Sequence, residues 1–279
     1  MVFKARKKYF DTGKRPVVMG ILNVTPDSFS DGGLFTDTDT AIMQCRKMIS
    51  EGADIIDVGG ESSRPGADPV GEELEISRVL PVIKKLRGIS DVCISIDTYK
   101  PGVAEAALSA GAEIVNNIFG TKNDNDMLDV VAKYSAGICI MHIKGVPMTM
   151  QNETVYSDII TDVKKELEHS AELALDHGIS SENIVLDPGI GFGKDINGNI
   201  ELLSRIGELV AAGYNIMIGV SRKSFIANTV GSDMLSRLMG TLAFNVSCLH
   251  RGAGIFRVHD VAENRKCLDS AKLLMPGRI

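Results

Sequence analysis

Apolar residues come in this chain as short unbroken blocks, each ended by polar ones. The run Val17-Val18-Met19-Gly20-Ile21-Leu22 is partly β-branched, the pattern of a strand buried on both faces. It changes character at Asn23-Val24-Thr25-Pro26-Asp27, where Pro26 fixes φ and has no N–H for a ladder, so the strand stops. Seven later blocks repeat the grammar, at 53–58, 93–98, 113–118, 137–142, 183–187, 215–220 and 254–259. Between them lie helical stretches. Thr38 or Asp39 is placed to cap a helix through Ser50, and others are expected at 72–87, from Pro101, at 126–134, 156–177, 197–212, 224–250 and from Asp260. Residues 3–10, a turn at Asp11-Thr12-Gly13 and the chain from Arg15 predict a short N-terminal hairpin.

Eight strand–helix units without a linker or composition break predict an α/β protein: one (β/α)8 TIM barrel spanning residues 1–279 as a single domain. An open doubly wound sheet would carry a Gly-rich dinucleotide turn after its first strand, and the sequence has none there. Composition changes this picture little. Hydrophobic content of 44% and charged content of 24% describe a globular chain, and a net charge of -6 speaks against a general nucleic-acid binder. No apolar run approaches the ~20 residues of a membrane helix. The basic start MVFKARKKYF has no apolar secretory core, and five scattered cysteines without a CxxC read as buried free thiols. A cytoplasmic protein is expected.

The strand ends carry Asn23; Glu61-Ser62-Ser63-Arg64; Asp97; Asn116-Asn117; His142; Asp187; Lys223; and Arg257 with His259. In a barrel these positions surround one mouth, the face where active sites sit. Asp97, Asn116 and Asp187 supply acceptors suited to the edge of a flat aminopyrimidine, though each carboxylate also serves as a helix cap or a partner of Lys223 in the plainer reading. Arg257, His259, Arg64 and Lys223 form a cationic group, and the loops after strands seven and eight often hold phosphate in barrels. Gly189 to Lys194 is not a Walker loop, because its glycine spacing is wrong and Asp195 replaces the hydroxyl residue. Its glycines instead allow a tight loop presenting Phe192, with Met141, Met148 and Met150 as candidate pocket lining.

At these residues the chain resembles the dihydropteroate synthase family, folate-pathway enzymes inhibited by sulfonamides. The matching stretches are GILNVTPDSFSDGG (20–33), DVGGESSRPGA (57–67), SIDT (95–98), IVNN (114–117), LDPGIGFGK (186–194), SRKS (221–224) and RVHD (257–260). The resemblance implies a homodimeric barrel joining p-aminobenzoate to the pyrophosphate ester of 6-hydroxymethyl-7,8-dihydropterin. By matching position it implies that Asp97, Asn116, Asp187 and Lys223 hold the pterin. It gives the pyrophosphate to Arg257, His259 and the Ser63-Arg64 loop, Mg²⁺ to Asn23, and p-aminobenzoate to Ser224 and Phe192. Arg257, His259 and Lys223 would act in catalysis, with the 24–36 and 62–71 loops closing to exclude water. Two positions depart from the family's pattern: Ser63 replaces the usual Thr, and Asn117 replaces the usual Asp, removing a charge beside the site. The rival readings are a methyltetrahydrofolate methyltransferase, a non-catalytic pterin-binding paralogue, and a sugar-phosphate aldolase or isomerase recruiting Lys223.

Overall fold

The computed structural model describes residues 1–25, 34–62, 68–120, 125–145, 150 and 154–275, with the side chains of 34–37 and 125 outside that description. Its centre is a closed barrel of parallel strands: β3 (Val17–Asn23), β4 (Ile55–Gly59), β5 (Cys93–Asp97), β6 (Ile114–Asn117), β7 (Gly137–Met141), β8 (Ile184–Asp187), β9 (Asn215–Ile218) and β10 (Ile255–Val258), which returns to β3. Around it lie α1 (Leu34–Ser50), α2 (Glu72–Ile89), α3 (Pro101–Ser109), α4 (Asn125–Tyr134), α5 (Ile159–Asp176), α6 (Ile196–Ser204), α7 (Ile206–Val210), α8 (Ser224–Val230), α9 (Met234–His250) and α10 (Val261–Leu273). The expected (β/α)8 barrel is therefore the observed one.

Successive strand residues face opposite ways, and the two sets have different partners. Val18, Leu22, Ile56, Val58, Ile94 and Ile96 belong to the large cluster shared with the helices. Met19, Ile55, Cys93, Ile114, Cys139, Val185, Met217 and Ile255 form a second cluster within the barrel. Each such side chain, fully buried, stabilises the fold by ~1.5–3 kcal/mol before entropy is counted. Gly20 points outward with Val18 and Leu22; a Cβ there would lie 2.8 Å from Sδ of Met48, so glycine lets α1 approach the sheet.

The hairpin is β1 (Val2–Ala5) with β2 (Lys8–Asp11), and Phe3 and Ala5 join the inner cluster, closing the lower end of the barrel. Its tight turn is at Arg6-Lys7, with Arg6 at φ 53, and not at Asp11-Thr12-Gly13. The latter is a second turn that leads into β3, where Oδ1 of Asp11 accepts from the N–H groups of Gly13 and Lys14. Three helix boundaries also differ from expectation. Helix α1 starts at Leu34, so Thr38 and Asp39 lie inside it, and Asp39 pairs with Lys85 of α2 instead of capping. Helix α5 starts at Ile159, capped by Asp158, which accepts from Thr161 N–H at 3.2 Å. The stretch from Asn197 breaks at Arg205, whose φ of -106 separates α6 from α7.

Candidate active site

Continuing the inward set up each strand changes its chemistry. Above the apolar layer come Asp57 on β4, Asp97 on β5, Asn116 on β6, Asp187 on β8 and Arg257 on β10. Ladder register sets Asn23, Gly59, Asp97 and Asn116 side by side, and aligns Asp187 with Met141. The barrel is thus dry at the hairpin end and polar at the carboxyl ends of the strands, where barrel active sites lie.

Arg257 binds the polar layer together. Its Nε donates to Oδ2 of Asp57 at 2.6 Å, and its Nη2 donates to Oδ2 of Asp97. Asn116 donates from Nδ2 to the same Asp57 oxygen at 3.0 Å. The acceptors and cations that the sequence separates into two groups are therefore interleaved, with Arg257 seated among the carboxylates. Burial raises the Asp97 carboxyl above its ordinary range, with Asp57, Glu75 and Glu61 adding to the effect and Arg257 opposing it. Burial also raises Asp187, against Lys223, the Gly189 N–H at 2.7 Å and Arg257. The Lys223 amine is pushed down to about 8 by burial, although Asp187 favours its charged form.

Lys223 and Phe192 meet at the mouth. The ammonium lies 4.4 Å from the Phe192 ring centroid and donates to the carbonyl of Ile190. Phe192 in turn packs on an apolar cluster of Ile118, Met141, Ile143 and Met150. Two of the three candidate methionines thus share one wall, and Met148 lies outside the described residues. Ser224 is exposed at the first position of α8. The backbone N–H and Nδ1 of His259 both lie 3.1 Å from Oγ of Ser221, which ties the loop after β10 to the loop after β9. Asp260 makes no helix cap and pairs with Arg222. Asn23 is half-buried on the rim, and among the described residues its side-chain amide has no partner. Ser63 and Arg64 lie outside the described residues, as do 26–33 and 63–67 of the two loops.

Three polar strand ends do not join this mouth. His142 follows outward-facing Ile140 and is buried with Lys194, Tyr156 and Glu166; Lys194 Nζ reaches its Nδ1 at 3.0 Å. Asn117 likewise faces outward. Its Nδ2 donates to the carbonyl of Gly120 at 2.7 Å and its Oδ1 accepts from Phe119 N–H at 3.0 Å. The replacement of Asp by Asn therefore removes no charge from the mouth; the amide closes its own turn. Glu61 accepts from Tyr99 Oη and Val70 N–H, each at 3.0 Å, and pairs with Lys100, fixing the base of the 62–71 loop.

Sequence reasoning missed Asp57, Ser221 and Lys194. Asp57 interrupts an apolar strand with a charge, which was a usable signal. Lys194 is buried and donates to the carbonyls of Gly189 and Phe192 at 3.0 and 2.9 Å, so the glycine loop is stapled from within rather than built for phosphate. Asp195 caps α6, accepting from Gly198 N–H at 2.7 Å.

Residues 19–259 match the family model described as "Pterin binding enzyme". The dihydropteroate synthase of Clostridium beijerinckii is 45% identical over 273 residues, covering 98% of this chain and 99% of that protein. A crystal structure of dihydropteroate synthase from Clostridium difficile in the presence of pteroic acid superposes with a TM-score of 0.91 at 47% identity, covering 96% of this chain and 100% of that one. The Yersinia pestis enzyme in a sulfonamide drug complex gives a TM-score of 0.91 at 39% identity, covering 98% of each. The chain belongs to the pterin-binding enzymes and, among them, to the dihydropteroate synthases.

Proposed function

We propose that the chain joins p-aminobenzoate to 6-hydroxymethyl-7,8-dihydropterin pyrophosphate, releasing pyrophosphate, as a transferase of folate synthesis. The observation that carries this is the interleaved layer: Asp97, Asn116 and Asp187 face one interior together with Arg257. The acceptors take the N–H and NH2 groups of the pterin edge, and Lys223 supplies a donor beside them. The pteroic acid present with one relative and the sulfonamide drug bound to another support this reading.

As the C–O bond breaks, its electron pair leaves with the pyrophosphate. Arg257 uses Nε and Nη2 on carboxylates, and among the described residues Nη1 has no partner and is left to the leaving group. His259, held by Ser221, and the Ser63-Arg64 loop complete the anion contacts. The electron-rich ring, gripped by acceptors, supports the methylene carbon as it turns cationic. The arylamine, placed by Phe192 and Ser224, attacks that carbon and loses a proton to water; its low basicity removes the need for a strong base. Water has to be kept from the cation, the role that the family resemblance gives to the 24–36 and 62–71 loops.

The charges favour a divalent ion at this site. Asp57, Asp97 and Asp187 outnumber Arg257 and Lys223, so the mouth alone does not neutralise a pyrophosphate. Among the described residues no group of His, Cys, Asp or Glu is placed to hold a metal. The amide of Asn23, which has no partner among the described residues, would suit Mg²⁺ nevertheless, an ion that keeps several waters and needs few protein ligands. When bound, Mg²⁺ stabilises charge on the leaving pyrophosphate.

We place the enzyme in the cytoplasm as a homodimer. Its cysteines are unpaired, four of them buried, which suits a reducing compartment. Exposed Met234, Leu235 and Met239 on α9 offer an apolar face to a second copy. No described helix is long and apolar enough to cross a membrane. A pyrophosphate-release assay tests the reaction: release should require both substrates and match dihydropteroate formed. Binding of the pterin ester without release would leave a non-catalytic pterin binder instead.

A further inference from the structure

Asp57 sits in the middle of β4, between Ile56 and Val58, and none of it reaches solvent. Its Oδ2 accepts from Nδ2 of Asn116 at 3.0 Å and from Nε of Arg257 at 2.6 Å, while Oδ1 has no partner among the described residues. The two ends of an asparagine amide have nearly the same shape, so chemistry decides which way it lies. A carboxylate paired with a guanidinium can only accept. The NH2 of Asn116 must therefore face Asp57, and its carbonyl Oδ1 is turned away, where among the described residues no donor reaches it.

We infer that Asp57 is a positioning residue of the pterin site, locking Asn116 so that it presents an acceptor and holding the Arg257 guanidinium beside it. This rests on the pterin reading above and deepens it. With Asn116 locked, Asp97, Asp187 and Asn116 form a wall of acceptors. Such a wall takes a heterocycle edge of N–H and NH2 groups and rejects one that presents carbonyls, because a rejected edge leaves buried acceptors unpaired. Asp57 touches no substrate in this arrangement; it acts through its two neighbours.

The test is calorimetry with 6-hydroxymethyl-7,8-dihydropterin on the full chain. Asp57→Ala frees both the Asn116 amide and the Arg257 guanidinium and should weaken binding by about tenfold or more. Asp57→Asn keeps an acceptor where Oδ2 stands, because one amide oxygen there can take both the Asn116 NH2 and the Arg257 Nε–H. Its affinity should stay within about threefold of the parent. The KM for p-aminobenzoate should hold steady through the series, which a general loss of packing would not allow. An Asp57→Ala variant that binds as the parent does, or an Asp57→Asn variant no tighter than Asp57→Ala, would overturn the inference alone. A parent chain that binds no pterin would overturn the pterin reading with it. Hydrogen exchange of the Asn116 side-chain NH2 in the unsubstituted protein needs no variant: protection is expected, and free exchange would refute the lock.

Discussion

Nε of Arg257 lies 2.6 Å from Oδ2 of Asp57, a residue 200 positions earlier in the chain, and its Nη2 reaches Asp97 on a third strand. One guanidinium thus joins β10, β4 and β5. Arg257→Ala should lower kcat/KM by about 100-fold, through loss of charge stabilisation on the leaving group. It should also cost ~3–5 kcal/mol of stability, because buried Asp57 and part-buried Asp97 both lose their cation. Arg257→Lys should rescue little, since an ammonium lacks the fork that spans both acids. Steady-state kinetics with urea unfolding checks this, and near-parental kcat/KM would refute the anion role.

Asn117 gives a prediction of the opposite kind. Asn117→Asp restores the residue usual in the family but removes the donor to the Gly120 carbonyl, so stability should fall by ~1–3 kcal/mol. Pterin affinity should not change, because the side chain faces away from the mouth. Denaturant titration and calorimetry separate the two effects; a gain in pterin affinity would show that a charge at this position does reach the site.

Lys194→Met tests the staple under the glycine loop. The ammonium is buried and donates to Gly189 and Phe192 carbonyls, so its loss should cost ~2–3 kcal/mol. Phe192 rides on that loop. The KM for p-aminobenzoate should rise several-fold while the KM for the pterin ester changes less, read by varying each substrate in turn.

The pH dependence follows from Lys223. Its amine is pushed down to about 8 by burial, so the ammonium is present below that pH and is lost as pH rises through it. If the ammonium is the active form, kcat/KM falls on the alkaline side with a midpoint near 8. Lys223→Arg should remove that limb, because a guanidinium does not titrate in this range. A profile flat through the same range in the parent would contradict the role.

The barrel was legible because parallel strands are buried on both faces and so write themselves as unbroken apolar runs. Most of the rim was legible because each run ends abruptly in polar residues. What the runs hide is which way a tip points. Asn116 and Asn117 are neighbours with like side chains, yet strand alternation sends one to the mouth and the other to its own turn. His142 was misplaced for the same reason. Asp57 was missed because it lies inside a run, and its partners are brought to it only by barrel closure. The starts of α1 and α5 depend on local capping, where several Thr and Asp residues compete.

The most direct measurement is a calorimetric titration with the dihydropterin pyrophosphate and Mg²⁺, followed by p-aminobenzoate. If acids and cations share one mouth, each chain takes up one pterin ester. p-Aminobenzoate then binds only after it, and Asp187→Asn and Arg257→Ala each weaken that first step. Full binding of the ester by both variants, or p-aminobenzoate binding unaffected by the ester, would mean that the two groups do not serve a common pocket.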